Sequence, residues 1–408
     1  MRKLFIIFLL SAVPVLAQSP FALTNLGPDV RSSDARADAR CWGLADYDTL
    51  TPSFHNLASL AGLKKVTISM SGYGEFADSQ DDSLQRKSYR VRTPSLRAAV
   101  PFMDGKFVVS AGLRGLRGTQ YDTQHNNLWY IEADTGIVEI AGIAYFRRDG
   151  TQFEVPLGVS FVLPVCADND MIRVGASLNL VQGTIRERAT DSFTDPVDNN
   201  NNPIYRPTTE IRTDEIGGLS STFSVLLTPS EMFTLGASYT TAHDWDITRT
   251  YEMTGVAGNV VSEHKWHLPA VWNAGASVKP ADRLRFGFEF ESQPMSGYTG
   301  NPVYEDQMTD GWTFGVGAER LSATKRRGGF SNLPLRFGFR RQKWNYTVNN
   351  EEIMENRISV GSGFPFKSKD GHLDFALSYG WAGDMQKHGV EDKYLRMTVS
   401  VTGLEKWW

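Results

Sequence analysis

Hydrophobic and polar residues alternate along most of the chain between residues 64 and 403. In residues 284–291, Leu and Phe hold every even position, and Arg, Gly and Glu hold every odd one. Residues 172–180, 335–340 and 373–381 show the same period of two. Such a period places apolar side chains on one face of a β-strand and polar side chains on the other. The pattern therefore predicts an all-β protein.

The connections between these segments alternate in length, which indicates a barrel. Short connections lie near residues 101–105, 164–170, 228–231, 279–283 and 367–371, and long polar ones lie near residues 77–88, 122–150, 187–210, 243–261 and 293–307. Outer-membrane barrels join their strands in this way, with short periplasmic turns and longer outer loops. A closed barrel also has no free edge and satisfies its backbone groups in lipid. We therefore predict a transmembrane β-barrel of the bacterial outer membrane.

The alternation predicts about fourteen antiparallel strands, with both ends of the chain in the periplasm. Segment 136–147 is a surplus, because a fifteenth strand would place the C-terminus on the wrong side of the membrane. We assign it to the second outer loop, where its apolar residues also fit one face of a helix.

The N-terminal region differs from the rest of the chain. Residues 1–17 have the charged start, the short apolar run and the small-residue cleavage site of a secretory signal peptide. Residues 18–62 lack the period of two and contain alternating small and charged residues. We therefore expect a signal peptide at 1–17, a small N-terminal helical plug (hatch) at 18–62 and the barrel at 63–408.

Motifs at both ends of the chain resemble a known family. The N-terminal motif residues are Ala35–Arg40, Cys41–Asp48 and His55–Leu60, and the C-terminal ones are Leu333–Arg340, Ile358–Phe366, Leu373–Gly380 and Glu405–Trp408. The chain resembles the FadL-type outer-membrane transporters of long-chain fatty acids and other hydrophobic compounds, in a divergent branch. Leu57 and Ser59 replace a Pro and a Gly of the family motif, and Cys41–Trp42 intrude at a turn.

The resemblance implies a fourteen-stranded barrel whose lumen is closed by the hatch, with Asn56, Leu57 and Ala58 in the plug motif. In the family a kink in the third strand serves as a lateral exit for substrate. The third predicted strand of this chain contains Gly112, Gly115 and Gly118. Repeated glycine can mark a bend or bulge there, or a strand that merely follows the curvature of the barrel.

Apolar residues of the second outer loop are candidates for the first contact with a hydrophobic ligand. They are Ile137, Ile140, Tyr145 and Phe146. An exposed apolar patch of this kind often marks a binding site.

Charged residues on the polar faces of the strands should point into the lumen, where they suit a water-containing pore or a docking surface for the hatch equally well. They are Arg285, Glu289, Arg336, Arg340, Asp374 and Arg396. Strand aromatics fit membrane-interface girdles or, as the alternative, a track on which ligands stack. They are Tyr239, Trp266, Trp272, Trp312, Trp344, Tyr379 and Trp381.

The sequence offers few candidates for catalysis, metal binding, nucleic-acid binding or disulfide formation. No catalytic signature occurs, and His264 and His267 fit solvated positions better than a metal site, so we expect a non-enzyme without metal or cofactor. The net charge of −4 argues against a nucleic-acid partner. Cys41 and Cys166, the only cysteines, could form a disulfide in an oxidising compartment.

These observations predict passive uptake of long-chain fatty acids or other hydrophobic small molecules. The expected partners are outer-membrane lipid, a hydrophobic ligand and the barrel assembly machinery. The alternatives are a non-transporting barrel that serves as an anchor or shuttle for a secretion system, and a porin for polar solutes.

Overall fold

The computed structural model describes residues 34–48, 53–81, 85–133, 136–164, 171–193, 206–300, 307–322, 333–366 and 370–405. The described strands are β1 (Val66–Asp81), β2 (Gln85–Phe102), β3 (Phe107–Ala133), β4 (Gly136–Leu163), β5 (Ile172–Phe193), β6 (Thr208–Ser230), β7 (Phe233–Thr240), β8 (His243–Met253), β9 (Val260–Leu268), β10 (Val271–Ala281), β11 (Leu284–Pro294), β12 (Asp310–Arg320), β13 (Leu335–Val348), β14 (Glu351–Pro365), β15 (Gly371–Asp384) and β16 (Val390–Glu405). The α-helices are α1 (Ala35–Arg40) and α2 (Met385–His388), and 3₁₀ turns cover Leu57–Leu60, Met103–Gly105 and Met295–Gly297. None of the helices in these ranges has the length and apolar character needed to cross a membrane.

The strands form a closed antiparallel barrel. Strand β1 pairs with β16 from Val66↔Glu405 to Asp81↔Val390, which closes the ring. Strands β7 and β8 both pair with β6, whereas β10 pairs with β7 and β11. The ring therefore passes from β7 directly to β10, and the β8–β9 hairpin extends the wall outward from β6. The wall thus has fourteen strands, and the predicted fold class is confirmed.

The distribution of apolar residues is inverted relative to a soluble protein. Phe288 and Phe337 are 48% and 57% exposed on the outer face, whereas Glu319 and Arg336 are 1% and 6% exposed on the inner face. Charged residues are rarely buried in soluble proteins unless they are paired. An apolar outer face around a polar interior is the arrangement of a barrel in lipid. The protein lies in the bacterial outer membrane.

Two of the long connections predicted from the sequence, 122–150 and 243–261, consist largely of strands instead. Residues 136–147 form the outer half of β4 and pair with β3 up to Ala133↔Gly136, so both the loop and the helical alternative are wrong. The predicted loop 243–261 consists largely of β8 and β9. Spanning a bilayer takes about 9–11 residues per strand. Strands β3 and β4, with 27 and 28 residues, therefore continue beyond the membrane, where their pairing still satisfies the backbone.

The predicted aromatic girdle is correct for only part of its members. Tyr239, Trp272 and Tyr379 are 48%, 45% and 46% exposed on the outer face. Trp266 and Trp344 are 1% and 8% exposed and lie in an apolar cluster inside the barrel. The girdle assignment is wrong for these two, because the inner face becomes apolar towards the outer end of the barrel.

Candidate functional site

The described residues 34–48 and 53–63, called the hatch here, lie inside the barrel. Helix α1 begins at Asp34, whose side chain accepts a hydrogen bond of 2.7 Å from the Ala37 amide, and it ends at Cys41 in the left-handed region (φ 60°). All six residues of α1 are buried. Ala35 and Ala39 pack against Ala376 of β15, since small side chains allow the helix to approach the wall.

The plug-motif residues anchor the second half of the hatch. Asn56 accepts a hydrogen bond from the Ala58 amide at 3.0 Å, and it donates to the carbonyl oxygens of Leu44 and Val225 at 2.9 and 3.1 Å. The Leu57 carbonyl accepts from the Ser160 hydroxyl at 2.7 Å. Asn56 and Leu57 therefore tie the hatch to β6 and β4.

Buried ion pairs hold the first half of the hatch. The hatch network comprises Arg36, Arg40, Asp46 and Asp48 of the hatch and Arg285, Glu319, Arg336 and Asp374 of the wall. Glu319 accepts hydrogen bonds from Arg36, Arg40 and Arg336 at 3.1, 2.9 and 2.8 Å. Four guanidinium groups thus face four carboxylates, so the network is neutral as a whole.

Asp46 shows how the hatch network tolerates burial. Burial opposes its ionisation, but the guanidinium groups of Arg36, Arg40 and Arg285 outweigh this effect and lower the pKa of Asp46 below its usual value. The carboxylate therefore stays ionised and holds its three cationic partners.

Two of the inward-facing charges predicted from the sequence bond directly to the hatch, and Arg336 and Asp374 belong to the hatch network. Glu289 accepts hydrogen bonds from the backbone amides of Gly43 and Leu44 at 2.8 and 2.9 Å. Arg285 bonds to Asp46 at 2.7 Å. Arg396 instead pairs with Glu75 at 2.6 Å across the β1–β16 seam.

Wall glycines that the sequence analysis did not single out let the hatch backbone approach closely. A Cβ on Gly315 would lie 1.9 Å from the Cys41 carbonyl oxygen, and one on Gly317 would lie 2.0 Å from the Arg40 carbonyl oxygen. Gly338 would meet the Arg40 carbonyl carbon at 2.5 Å. Their position on the polar face of alternating strands, where other residues carry charges, is the sequence signal that could have revealed them.

A second barrier lies above the hatch. The outer seal is a cluster of buried apolar side chains from strands around the lumen and from the segments between β11 and β12: Val181, Ile185, Ile216, Trp245, Ile247, Trp266, Leu268, Met295, Tyr298, Met308, Trp344, Tyr346, Ile353 and Ala382. Between the outer seal and the hatch lies the lumen cavity, of about 240 Å³. In the described part of the barrel, the lumen cavity, called the chamber here, therefore lies between the hatch on one side and the outer seal on the other.

The wall has a gap beside this chamber. The β2–β3 pairing ends at Ser95↔Arg114; above it, β2 pairs with β1 and β3 pairs with β4. Strand β3 shifts register between Gly115 and Arg117. The lumen cavity touches Arg114 and Arg117 from inside, and an outer groove of about 1030 Å³ borders Gly115 and Arg117 from outside.

The three glycines of β3 have different positions at this wall gap. Gly112 still lies within the ladder, opposite Arg97. Gly115 lies at the register shift, and Gly118 lies above the end of the ladder. The guanidinium of Arg92 occupies the space where a Gly118 side chain would begin, so Arg92 reaches across the gap.

The candidate capture residues lie on the outer half of β4. Ile140 is fully buried, and Tyr145 and Phe146 are half-buried. The Tyr145 hydroxyl donates to Asp122 at 2.8 Å, and Phe146 contacts the ring of Tyr121. Ile137 pairs with Glu132 through its backbone, and its side chain is outside the described residues.

The remaining candidate groups carry little chemistry. Cys41 has a free, buried thiol, so it forms no disulfide here, and Cys166 lies outside the described residues. His267 bonds to Asp244, whereas His264 bonds to Ser262. Within the described ranges, no group of three or more His, Cys, Asp or Glu residues is placed to hold a metal ion.

Solved structures share this architecture at low sequence identity. A FadL homologue of Pseudomonas aeruginosa matches with a TM-score of 0.64 and 12% identity, over 94% of this chain and all of its own. The toluene transporter TodX of Pseudomonas putida matches at 0.55 and 12%, over 93% of this chain and 99% of its own. The monoaromatic hydrocarbon channel CymD matches at 0.54 and 12%, over 91% and 97%. The fold is therefore FadL-like.

The amino-acid sequence was also compared with curated proteins and with models of protein families. No curated protein matches the chain. The family model described as BamG matches residues 2–408, which is nearly the whole sequence. The chain belongs to the BamG family.

Proposed function

We propose that the protein lets hydrophobic small molecules, long-chain fatty acids among them, pass through the outer membrane by a lateral route. A molecule would enter past the outer seal, occupy the lumen cavity and leave through the wall gap into the lipid. The observation that carries this proposal is the end of the β2–β3 ladder at Arg114, with the lumen cavity inside and the outer groove outside. The half-buried rings of Tyr145 and Phe146 would offer a first contact at the outer surface.

The two barriers suit a hydrophobic cargo better than a polar one. An apolar molecule can exchange contacts with the side chains of the outer seal without losing hydrogen bonds. Passage through the hatch would require breaking buried ion pairs, each of which is costly to disrupt. A sideways exit avoids the hatch network, whereas a polar solute would meet the apolar seal first and lose its hydration there.

Filling the wall gap tests the proposal. A Cβ on Gly118 meets only the flexible end of Arg92, so Gly118→Trp blocks the gap without moving backbone. Gly403→Trp is the matched control, because the nearest atom to its Cβ is the Ile68 carbonyl oxygen at 4.0 Å. We expect cells with the wild type or the control to take up radiolabelled oleate or toluene, and cells with Gly118→Trp to lose most of this uptake.

Barrel assembly is checked by heat-modifiable migration in outer-membrane fractions. Normal uptake by an assembled Gly118→Trp barrel would eliminate the lateral route. If the wild type takes up no more than cells lacking the protein, across several hydrophobe classes, transport itself is wrong.

A second candidate is a non-transporting subunit of an outer-membrane machine. The specific observation in its favour is the BamG family match, since the family name points to the barrel assembly machinery. A lumen that holds a docked hatch is also compatible with a barrel that serves as a scaffold. Chemical crosslinking in native outer membranes, followed by affinity purification, should then recover the barrel assembly machinery in stoichiometric amounts, and recovery of the protein alone would count against this role.

A further inference from the structure

Arg340 is a buried arginine that has no ion-pair partner in the described structure, since the carboxylates of Glu289 and Asp38 attract it only from beyond ion-pair distance. It lies on the inner face of β13, borders the lumen cavity and is 8% exposed. Its register partner on β14 is Arg357, and like charges directly opposite each other destabilise a sheet. Asp38 neutralises Arg357 at 2.9 Å. Within the described residues, Arg340 has no hydrogen-bond acceptor and no ion-pair partner, and its buried Nε is unpaired.

A second buried arginine, on another part of the wall, also lacks an ion-pair partner in the described structure. Arg97 of β2 is 5% exposed and lies beside Arg114 of β3. Glu154 pairs with Arg114 at 2.5 Å, so Arg97 has no carboxylate within ion-pair distance in the described structure, although Asp34 and Glu154 attract it from farther away. Its guanidinium lies over the ring of Phe54 at 5.3 Å, and its Nε is unpaired.

These two arginines border connected space. Arg97 lines a compartment of about 60 Å³ that shares His55, Arg114 and Glu154 with the lumen cavity, which Arg340 lines. The Nε2 atom of His55 is buried and has no hydrogen-bond partner, because the Asp34 carboxylate oxygen beside it lies 3.9 Å away, beyond hydrogen-bond distance.

The other carboxylates of the lumen cavity are already engaged. Glu289 holds the amides of Gly43 and Leu44, and Glu291 accepts from Gln293 at 2.7 Å. The chamber therefore presents buried donors for which the described chain supplies no acceptor.

We propose that the chamber binds an oxyanion, a phosphate or carboxylate group, held by Arg340 and Arg97 beside His55. An uncompensated buried charge is strongly unfavourable, and a guanidinium matches both oxyanions through paired hydrogen bonds. The apolar wall at Leu116 and Leu268 leaves space for a short hydrocarbon attached to the anion. The inference deepens the proposed function, since it names an anionic head on the molecule that uses the same chamber. A neutral hydrocarbon would leave both guanidinium groups unpaired.

Calorimetry on the full-length protein in a non-ionic detergent tests this site without any transport step. The probes are inorganic phosphate, butyl phosphate, butyrate and butanol. We expect the anions to bind and butanol not to bind, with Arg340→Gln and Arg97→Gln each weakening anion binding at least about tenfold. Arg188→Gln, at an exposed position of β5 that borders neither the lumen cavity nor the outer groove, is the matched control and should bind as the wild type does. Tighter binding of butyl phosphate than of phosphate would indicate a lipid-like ligand, whereas equal binding would indicate a free anion.

A second measurement uses intact arginines, in case the variants do not fold. Cys41 borders the lumen cavity, but its thiol is fully buried and reacts only when the hatch moves, and an anion held between His55 of the hatch and the wall arginines should oppose that movement. In a Cys166→Ser background, phosphate or butyl phosphate should slow the reaction of Cys41 with a small methanethiosulfonate, whereas butanol should not. Equal protection by butanol, or no anion binding in either experiment, would overturn the oxyanion site. Anion binding by a protein that shows no uptake in cells would leave the site intact and contradict only transport.

Discussion

Glu319 should control whether the hatch stays in the barrel. Its carboxylate is 1% exposed and accepts four hydrogen bonds, two from Arg36 and one each from Arg40 and Arg336. Glu319→Gln keeps the shape of the side chain but removes its charge. Three buried guanidinium groups then share one carboxylate fewer, which should destabilise the docked hatch by about 3–5 kcal/mol.

Labelling of Cys41 measures this loss directly. The thiol is fully buried against the wall, so a maleimide reaches it only when the hatch opens. If opening is a rapid equilibrium, the labelling rate in a Cys166→Ser background should rise roughly 100- to 5,000-fold. Glu352→Gln is the control, because Glu352 is a half-exposed partner of Lys343 and such pairs contribute about 0–1 kcal/mol.

We expect the control to change the labelling rate by less than about fivefold. Equal labelling of Glu319→Gln and the control, in barrels of equal heat modifiability, would refute the hatch network as the element that holds the hatch. The same result would imply that backbone contacts with the wall glycines are sufficient.

Three further changes probe the same docking. Gly317→Ala puts a methyl group 2.0 Å from the Arg40 carbonyl oxygen and should accelerate thiol labelling, whereas Gly403→Ala, in open space, should not. Asn56→Ala removes the cap and two donated hydrogen bonds and should cost the hatch about 1–3 kcal/mol, seen as faster hydrogen exchange of hatch peptides. The pKa of Asp46 is lowered in the folded state, so its stabilising effect is complete above its unfolded pKa and is lost as pH falls through the folded value. Hatch exchange, corrected for the intrinsic rate, should therefore rise only below about pH 4, and a rise between pH 7 and 5 would contradict this assignment.

The barrel could be predicted because one physical constraint acts on every strand. Lipid on one side and a polar interior on the other impose a period of two, which Phe286 and Phe288 make visible in a single segment. The outer ends of the strands could not be predicted in this way, because residues beyond the bilayer do not face lipid and need no period of two. Residues 136–147 lack the clear alternation, so their sequence favours a loop, although backbone pairing with β3 holds them as a strand.

The hatch was only partly predictable for a different reason. The sequence indicated a small helical element and inward-facing charges, but ion pairs such as Arg36–Glu319 join residues far apart in the chain. No local pattern specifies such a partner. Trp266 and Trp344 were misassigned because an aromatic residue suits a membrane interface and an apolar seal equally well, and only the three-dimensional position distinguishes the two.

The most direct test of the lateral route is to map where a hydrophobic ligand touches the protein. A diazirine-bearing fatty acid is added to intact outer membranes, irradiated and located by mass spectrometry, with excess unlabelled oleate as competitor. The account predicts competitor-sensitive labelling at the wall gap, on Val91 and on residues 115–120 of β3, and at the cavity-lining Leu116 and Leu268. Labelling that covers the lipid-facing belt evenly and ignores the competitor would contradict a specific path through the chamber and its side opening.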